Sequence, residues 1–196
     1  MTYTIIGGVN GVGKSSLIGV LSSSYNDLGT IINPNRIIAD NNGDKLLGGK
    51  ISVELINNCL EMGIDFTQET TLSGHQPVIT AKKAKEYNYY IRLFYVGINS
   101  LDESLSRIEN RVNKGGHDIP KDIVEKRFSK RFDDLSKILP YCNEGHLFDN
   151  ENGFREVAEY RNGKLIIKSD NPPKWLLEYK ANNETAIKNY SFQSRK

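Results

Sequence analysis

At 196 residues the chain suits a single domain with a small appendage, and it is long enough to bury most of its apolar surface. Apolar residues at 38% and charged residues at 26% describe an ordinary globular protein. The formal net charge of +2 is too small for non-specific binding to nucleic acid or to a membrane surface, so any affinity for phosphate must be local.

The first apolar run, Tyr3–Ile6, reads as a strand, and Gly8-Val9-Asn10-Gly11-Val12-Gly13-Lys14-Ser15 follows it at once. This fits the phosphate-binding pattern G-x-x-x-x-G-K-[ST]. Backbone N–H groups wrap a polyphosphate only if the chain takes conformations with positive φ, which glycine adopts without steric cost. Gly8, Gly11 and Gly13 supply them, Asn10, Val12 and Ser16 complete the cradle, Lys14 places a charge beside the β- and γ-phosphates, and the Ser15 hydroxyl is a Mg²⁺ ligand. Leu17, Ile18 and Leu21 then recur at helical spacing over Ser15–Tyr25, the crossover helix of a βαβ unit.

A short strand, Thr30–Ile32, runs into Asn33-Pro34-Asn35-Arg36, where Pro34 stops it abruptly at the sheet edge at which α/β proteins bind ligands. Residues 45–62 carry apolar side chains on one helical face, with Gly63 as terminator. Residues 64–71 form a strand ending in Glu69, Thr70 and Thr71, again at the ligand edge. A helix over Gln76–Glu86 leads to Tyr90–Gly97, β-branched and aromatic throughout and the strongest strand in the chain. Strands alternating with helices imply a parallel α/β sheet with right-handed crossovers.

Residues 102–113 are helical and charged, and Lys114-Gly115-Gly116-His117-Asp118-Ile119-Pro120 breaks the pattern as a connector. The next helix, about Lys121–Leu139, carries Arg127 and Arg131 one turn apart on one face. A last sheet strand lies near His146–Phe148, and Asp149-Asn150 either forms a turn, braces the phosphate loop or meets a nucleotide base. His75 and His146 read as structural. Two alternating segments around Asn162-Gly163 carry the signal of a type I′ hairpin. Pro172-Pro173 then introduces a helix with Trp175, Leu176 and Leu177, and the Asn- and Lys-rich end is expected to fray. Cys59 and Cys142 stand in no metal or redox spacing and read as thiols in a reducing compartment. No signal sequence or long apolar run is present, which predicts a cytoplasmic location.

Taken together, GGVNGVGKSSL at 7–17, INPNRIIA at 32–39, ETTLSG at 69–74, RIENRVNKGGHDIP at 107–120, KRFSKRF at 126–132 and FDN at 148–150 resemble the zeta-toxin-like P-loop kinases over nearly the whole chain. The resemblance implies a three-layer α/β P-loop NTPase fold with a central parallel sheet. A lid of the nucleoside-monophosphate-kinase kind would lie around 114–120 within a core of residues 1–150, with a hairpin and helix over 151–196 packed on that core. It implies phosphoryl transfer from ATP or GTP with Mg²⁺ to a small acceptor, which in the best-known toxins is a UDP-linked amino sugar, and an antitoxin chain as a partner.

Phosphoryl transfer needs charge neutralised on the migrating group and a hydroxyl held in line. Lys14, Arg111, Arg127 and Arg131 are the candidates for the first task. Ser15 and Glu69 are the candidates for the metal. Asn35, Arg36, Glu69, Thr70, Thr71 and His117 are those for the acceptor. One departure matters. Related sequences carry Asp at the position of Asn35, where it serves as general base, and an amide cannot take a proton at neutral pH. Asp40, a turn further on, is a substitute acid. A dissociative transition state with little need of a base is a second rescue. Loss of transfer, leaving a nucleotide-binding protein or slow ATPase, is the remaining reading.

Overall fold

The computed structural model describes residues 1–116 and 118–182. His117 and the expected frayed end therefore lie outside the described residues. Among the described residues, seven strands form one sheet in the order β2-β3-β1-β4-β5-β6-β7. They are β1 (Thr2–Gly7), β2 (Thr30–Ile32), β3 (Phe66–Thr70), β4 (Tyr90–Gly97), β5 (Glu144–Asp149), β6 (Arg155–Arg161) and β7 (Lys164–Ile167). The first five run parallel, joined by α1 (Lys14–Leu21), α2 (Pro34–Asp40), α3 (Lys45–Met62), α4 (Gln76–Glu86), α5 (Leu101–Asn113) and α6 (Lys121–Ile138). A further helix, α7, covers 174–182, up to the last described residue.

Side chains alternate across the sheet, so each strand feeds two cores. Tyr3, Ile5, Ile91, Leu93 and Tyr95 point to one face and pack with Ile56 and Leu60 of α3, Ala81 and Ala84 of α4, Leu135 and Ile138 of α6 and Trp175 of α7. Ile6, Phe94 and Val96 point to the other, against Leu17, Ile18 and Leu21 of α1. The result is the expected three-layer arrangement.

Several local expectations hold closely. The helix over Gln76–Glu86 and the strand over Tyr90–Gly97 have the bounds read from the sequence. Asn162 and Gly163 both take positive φ, 52° and 76°, as a type I′ turn requires. Cys59 and Cys142 are buried free thiols, and burial pushes the Cys142 thiol up to about 12.

Two elements differ. Pro34 does end the strand, but it also opens α2, because Asn33 caps that helix by accepting from Asn35 N and Arg36 N. Proline suits the first helical position, where its missing N–H would have had no partner. The hairpin β6–β7 does not sit on the core as a separate layer. It continues the sheet, β6 pairing antiparallel with β5 over Glu144–Asp149, so the parallel sheet ends in an antiparallel edge.

Candidate functional site

β1 lies between β3 and β4, and the loop that leaves it, residues 8–13, opens at the carboxyl edge of the sheet. Gly8, Gly11 and Gly13 have φ of 139°, 77° and 94°. Gly13 is also a point of close approach. A Cβ there would stand 2.6 Å from Asn150 Nδ2, the atom that donates to Val12 O at 2.9 Å. Asn150 thus braces the loop, and it is itself anchored: its carbonyl accepts from Arg107 Nη2 at 2.6 Å, and its neighbour Asp149 accepts from Trp175 Nε1 at 2.9 Å. From the other side Ser104 Oγ donates to Asn10 O at 2.7 Å.

Lys14 opens α1 and is only 7% exposed, with Nζ donating to Val9 O at 3.0 Å across the mouth of the loop. Burial pulls its ammonium down to about 8; the Glu69 carboxylate opposes that fall, while Arg127 and Arg111 add to it. Ser15 Oγ donates to Glu69 Oε2 at 2.8 Å, and Asn33 Nδ2 donates to the same oxygen, also at 2.8 Å. Parallel pairing of β1 with β3 places Glu69 there, because its register partner is Ile6, just before the loop.

A cavity of about 220 Å³ gathers Asn10, Gly11, Gly13, Lys14, Ser15, Ser16, Asn35, Glu69, Arg107 and Arg111 around this point. Arg127 reaches the loop separately, donating from Nη1 to Asn10 Oδ1 at 3.0 Å. A hydroxyl and a carboxylate oxygen 2.8 Å apart beside the glycine-rich loop are hard oxygen donors of the kind that could hold Mg²⁺.

Other candidates stand elsewhere. Arg131 is stacked on Phe128 and Phe132 and paired with Glu178 of α7 at 3.2 Å, away from the cavity. Arg36 is exposed and faces Asp40 at 3.9 Å; Asp40 itself lies at the far end of α2 and is not among the residues lining the cavity. Thr70 Oγ1 accepts from Leu72 N, and Thr71 Oγ1 meets Ser73 Oγ at 2.8 Å, so both hydroxyls shape the turn after β3. Thr70 also lines a separate cavity of about 850 Å³ with Pro34, Gln68 and Ser73.

Three further residues are joined to the site, and two of them carry a sequence signal. Arg107 stands one turn before Arg111 on α5 and shares its face. Asn33 precedes a proline and a helical run, the pattern of an N-cap. Trp175 acts through Asp149, which only the folded chain brings near it.

No protein-family model matches the chain. Among solved structures it is similar to a chain of the PezAT chromosomal toxin–antitoxin system of Streptococcus pneumoniae, with a TM-score of 0.64 and 14% identity over 96% of this chain and 86% of that one. It is also similar to a chain of the AvrRxo1-ORF1:AvrRxo1-ORF2 complex crystallised with sulphate ions, with a TM-score of 0.64 and 14% identity, and in a second structure with ATP, with a TM-score of 0.62 and 16% identity. These matches cover 86% and 85% of this chain but only 61% and 60% of that protein, so the chain spans about three fifths of its length. The fold is therefore the three-layer α/β P-loop NTPase fold. A curated Haemophilus influenzae protein, described as uncharacterized, is 36% identical over 130 residues, which cover 62% of this chain and 88% of the relative. The chain belongs to the same family as this Haemophilus influenzae protein.

Proposed function

We propose that the protein is a phosphotransferase of the zeta-toxin type, moving the γ-phosphoryl group of ATP or GTP to a hydroxyl of a small acceptor, with a UDP-amino sugar as the first acceptor to try. The observation that carries this reading is the convergence of Ser15 and Asn33 on one oxygen of Glu69, beside the Lys14 ammonium and facing Asn35 across one cavity.

In the transfer, the bond from the γ-phosphorus to its bridging oxygen breaks, a bond to the acceptor oxygen forms, and the acceptor proton leaves. Backbone N–H groups of residues 8–13 and Lys14 hold the phosphates, while Arg111 and Arg127 bring positive charge to the group in flight. Ser15 and Glu69 would hold Mg²⁺, which supplies charge neutralisation at the β- and γ-oxygens. Asn35 orients the acceptor hydroxyl through its amide oxygen and does not take the proton, so transfer relies on a dissociative transition state or on proton loss to water.

Asn35 also favours a second reading, a nucleotide-binding protein or slow ATPase. Similarity to a toxin–antitoxin structure supports an antitoxin chain as the partner. Incubation with Mg-ATP or Mg-GTP and a panel of UDP-sugars, nucleosides and other hydroxyl acceptors, read by mass spectrometry, separates the first two readings. A gain of one phosphate on an acceptor is expected. Tight ATP binding with no phosphorylated acceptor would leave the slow ATPase. Growth on expression with and without a co-expressed neighbouring gene tests the antitoxin.

A further inference from the structure

Asn10 is held at both ends. Its backbone carbonyl accepts from Ser104 Oγ of α5 at 2.7 Å, and its side-chain Oδ1 accepts from Arg127 Nη1 of α6 at 3.0 Å. The next residue leaves no room for drift, because a Cβ on Gly11 would stand 2.7 Å from Ser104 O. Asn10 is 4% exposed and lines the cavity that holds Lys14 and Glu69. One asparagine thus joins the phosphate loop to the helices on either side of the connector at 114–120. It does so at the γ-phosphate end of the loop: Asn10 follows Val9, whose carbonyl takes the Lys14 ammonium, and a lysine at that position reaches the β- and γ-phosphates.

The partner of Arg127 matters as much as its place. Arg107 is paired with Glu103 at 2.6 Å and Arg131 with Glu178 at 3.2 Å, so a carboxylate offsets each of those charges. Arg127 has no carboxylate partner among the described residues, and its hydrogen bond goes to a neutral amide. A guanidinium only donates, so the amide must turn its oxygen toward it. That oxygen fixes the direction of the guanidinium without cancelling its charge, which stays available to an incoming phosphate. A carboxylate in the same position would hold Arg127 more firmly, neutralise it, and repel the phosphates as well.

We propose that Asn10 is a positioning residue for Arg127, aiming the guanidinium at the γ-phosphate of a nucleotide in the loop while leaving its charge uncancelled. The inference rests on the phosphotransferase reading for the nucleotide and is independent of the acceptor. Because Ser104 fixes Asn10 through its backbone, the fold itself orients the arginine, and little rearrangement is left for the moment of transfer.

The ratio of ATP to ADP affinity isolates the γ-phosphate, since whatever the loop does for the shared α- and β-phosphates cancels. Mg-ATP and Mg-ADP are titrated calorimetrically into the wild type, Asn10→Ala, Arg127→Ala and the double variant. Alanine keeps the Ser104 bond to the backbone, and Asn10 has no positive φ for alanine to resist. The ratio is expected to fall roughly fivefold or more in each single variant, and no further in the double variant than in Arg127→Ala. Asn10→Asp, which holds Arg127 but neutralises it, is expected to lower the ratio at least as far as Asn10→Ala. Losses that multiply in the double variant would overturn the proposal, as would a wild-type ratio in Asn10→Ala or Asn10→Asp. These titrations need neither acceptor nor turnover. Acceptor phosphorylation by the wild type, read separately by mass spectrometry, tests the phosphotransferase reading by itself.

Discussion

Arg127 donates from Nη1 to Asn10 Oδ1 at 3.0 Å, joining the helix after the 114–120 connector to the loop that leaves β1. Burial lowers the Arg127 guanidinium, yet an arginine stays charged at any working pH, so the contact holds a cation beside the buried Lys14. The loop is thus a place of concentrated positive charge.

That charge makes nucleotide binding depend on pH. The Lys14 ammonium is lowered to about 8, mainly by burial, so it is charged below that value and neutral above it. A bound polyphosphate favours the charged form and raises the value. ATP affinity is therefore expected to fall as pH rises through about 8, and binding at pH 8 to take up about half a proton. Calorimetry in two buffers of different ionisation enthalpy measures the uptake, and Lys14→Met removes it. The folding sign is separate: a lowered lysine costs stability while charged, so that cost is present below about 8 and is relieved as pH climbs toward the ordinary lysine value of 10.5.

Asn35→Asp is expected to raise phosphoryl transfer by ~10²-fold or more, the usual reach of a general base. The position faces the cavity with Glu69 and opens a helix whose N-terminus tolerates an acid, so stability should not fall. Turnover under Mg-ATP with a hydroxyl acceptor is the measurement, and an unchanged rate would remove Asn35 from the reacting site.

Asn33 does two things, capping α2 and donating to Glu69. Asn33→Ala is expected to cost ~1 kcal/mol in urea unfolding, as lost caps do, and to lower turnover. Asn33→Asp keeps a capping oxygen but replaces the donor with a carboxylate facing Glu69. It should lower turnover through repulsion even where the cap survives, which separates the two roles.

Trp175 is fully buried, and its indole N–H is the donor to Asp149 Oδ1. Trp175→Phe keeps most of the packing and leaves that buried oxygen without its partner, at an expected cost of ~1–3 kcal/mol in urea unfolding. Because Asn150, next in the chain, holds Val12 O, ATP affinity should weaken severalfold as well. Unfolding and ATP titration on the same preparation check both.

The sequence by itself determined whatever depends on near neighbours. Glycine spacing set the phosphate loop, the glycines adopting positive φ where the pattern requires it, and a run rich in β-branched and aromatic residues set β4 with its bounds. Asn162-Gly163 set the type I′ turn, because few other residue pairs tolerate two positive φ values in succession. Tertiary structure alone decided which distant groups share the site. Arg127 and Arg131 are equivalent in sequence, one turn apart on α6; packing sends the first to Asn10 and gives the second to Glu178 and two phenylalanine rings. Parallel pairing of β1 with β3 carried Glu69 to Ser15, across 54 positions of chain. Such contacts follow from strand order and helix packing, which depend on the burial of the whole core rather than on any short stretch, and so no local pattern could state them.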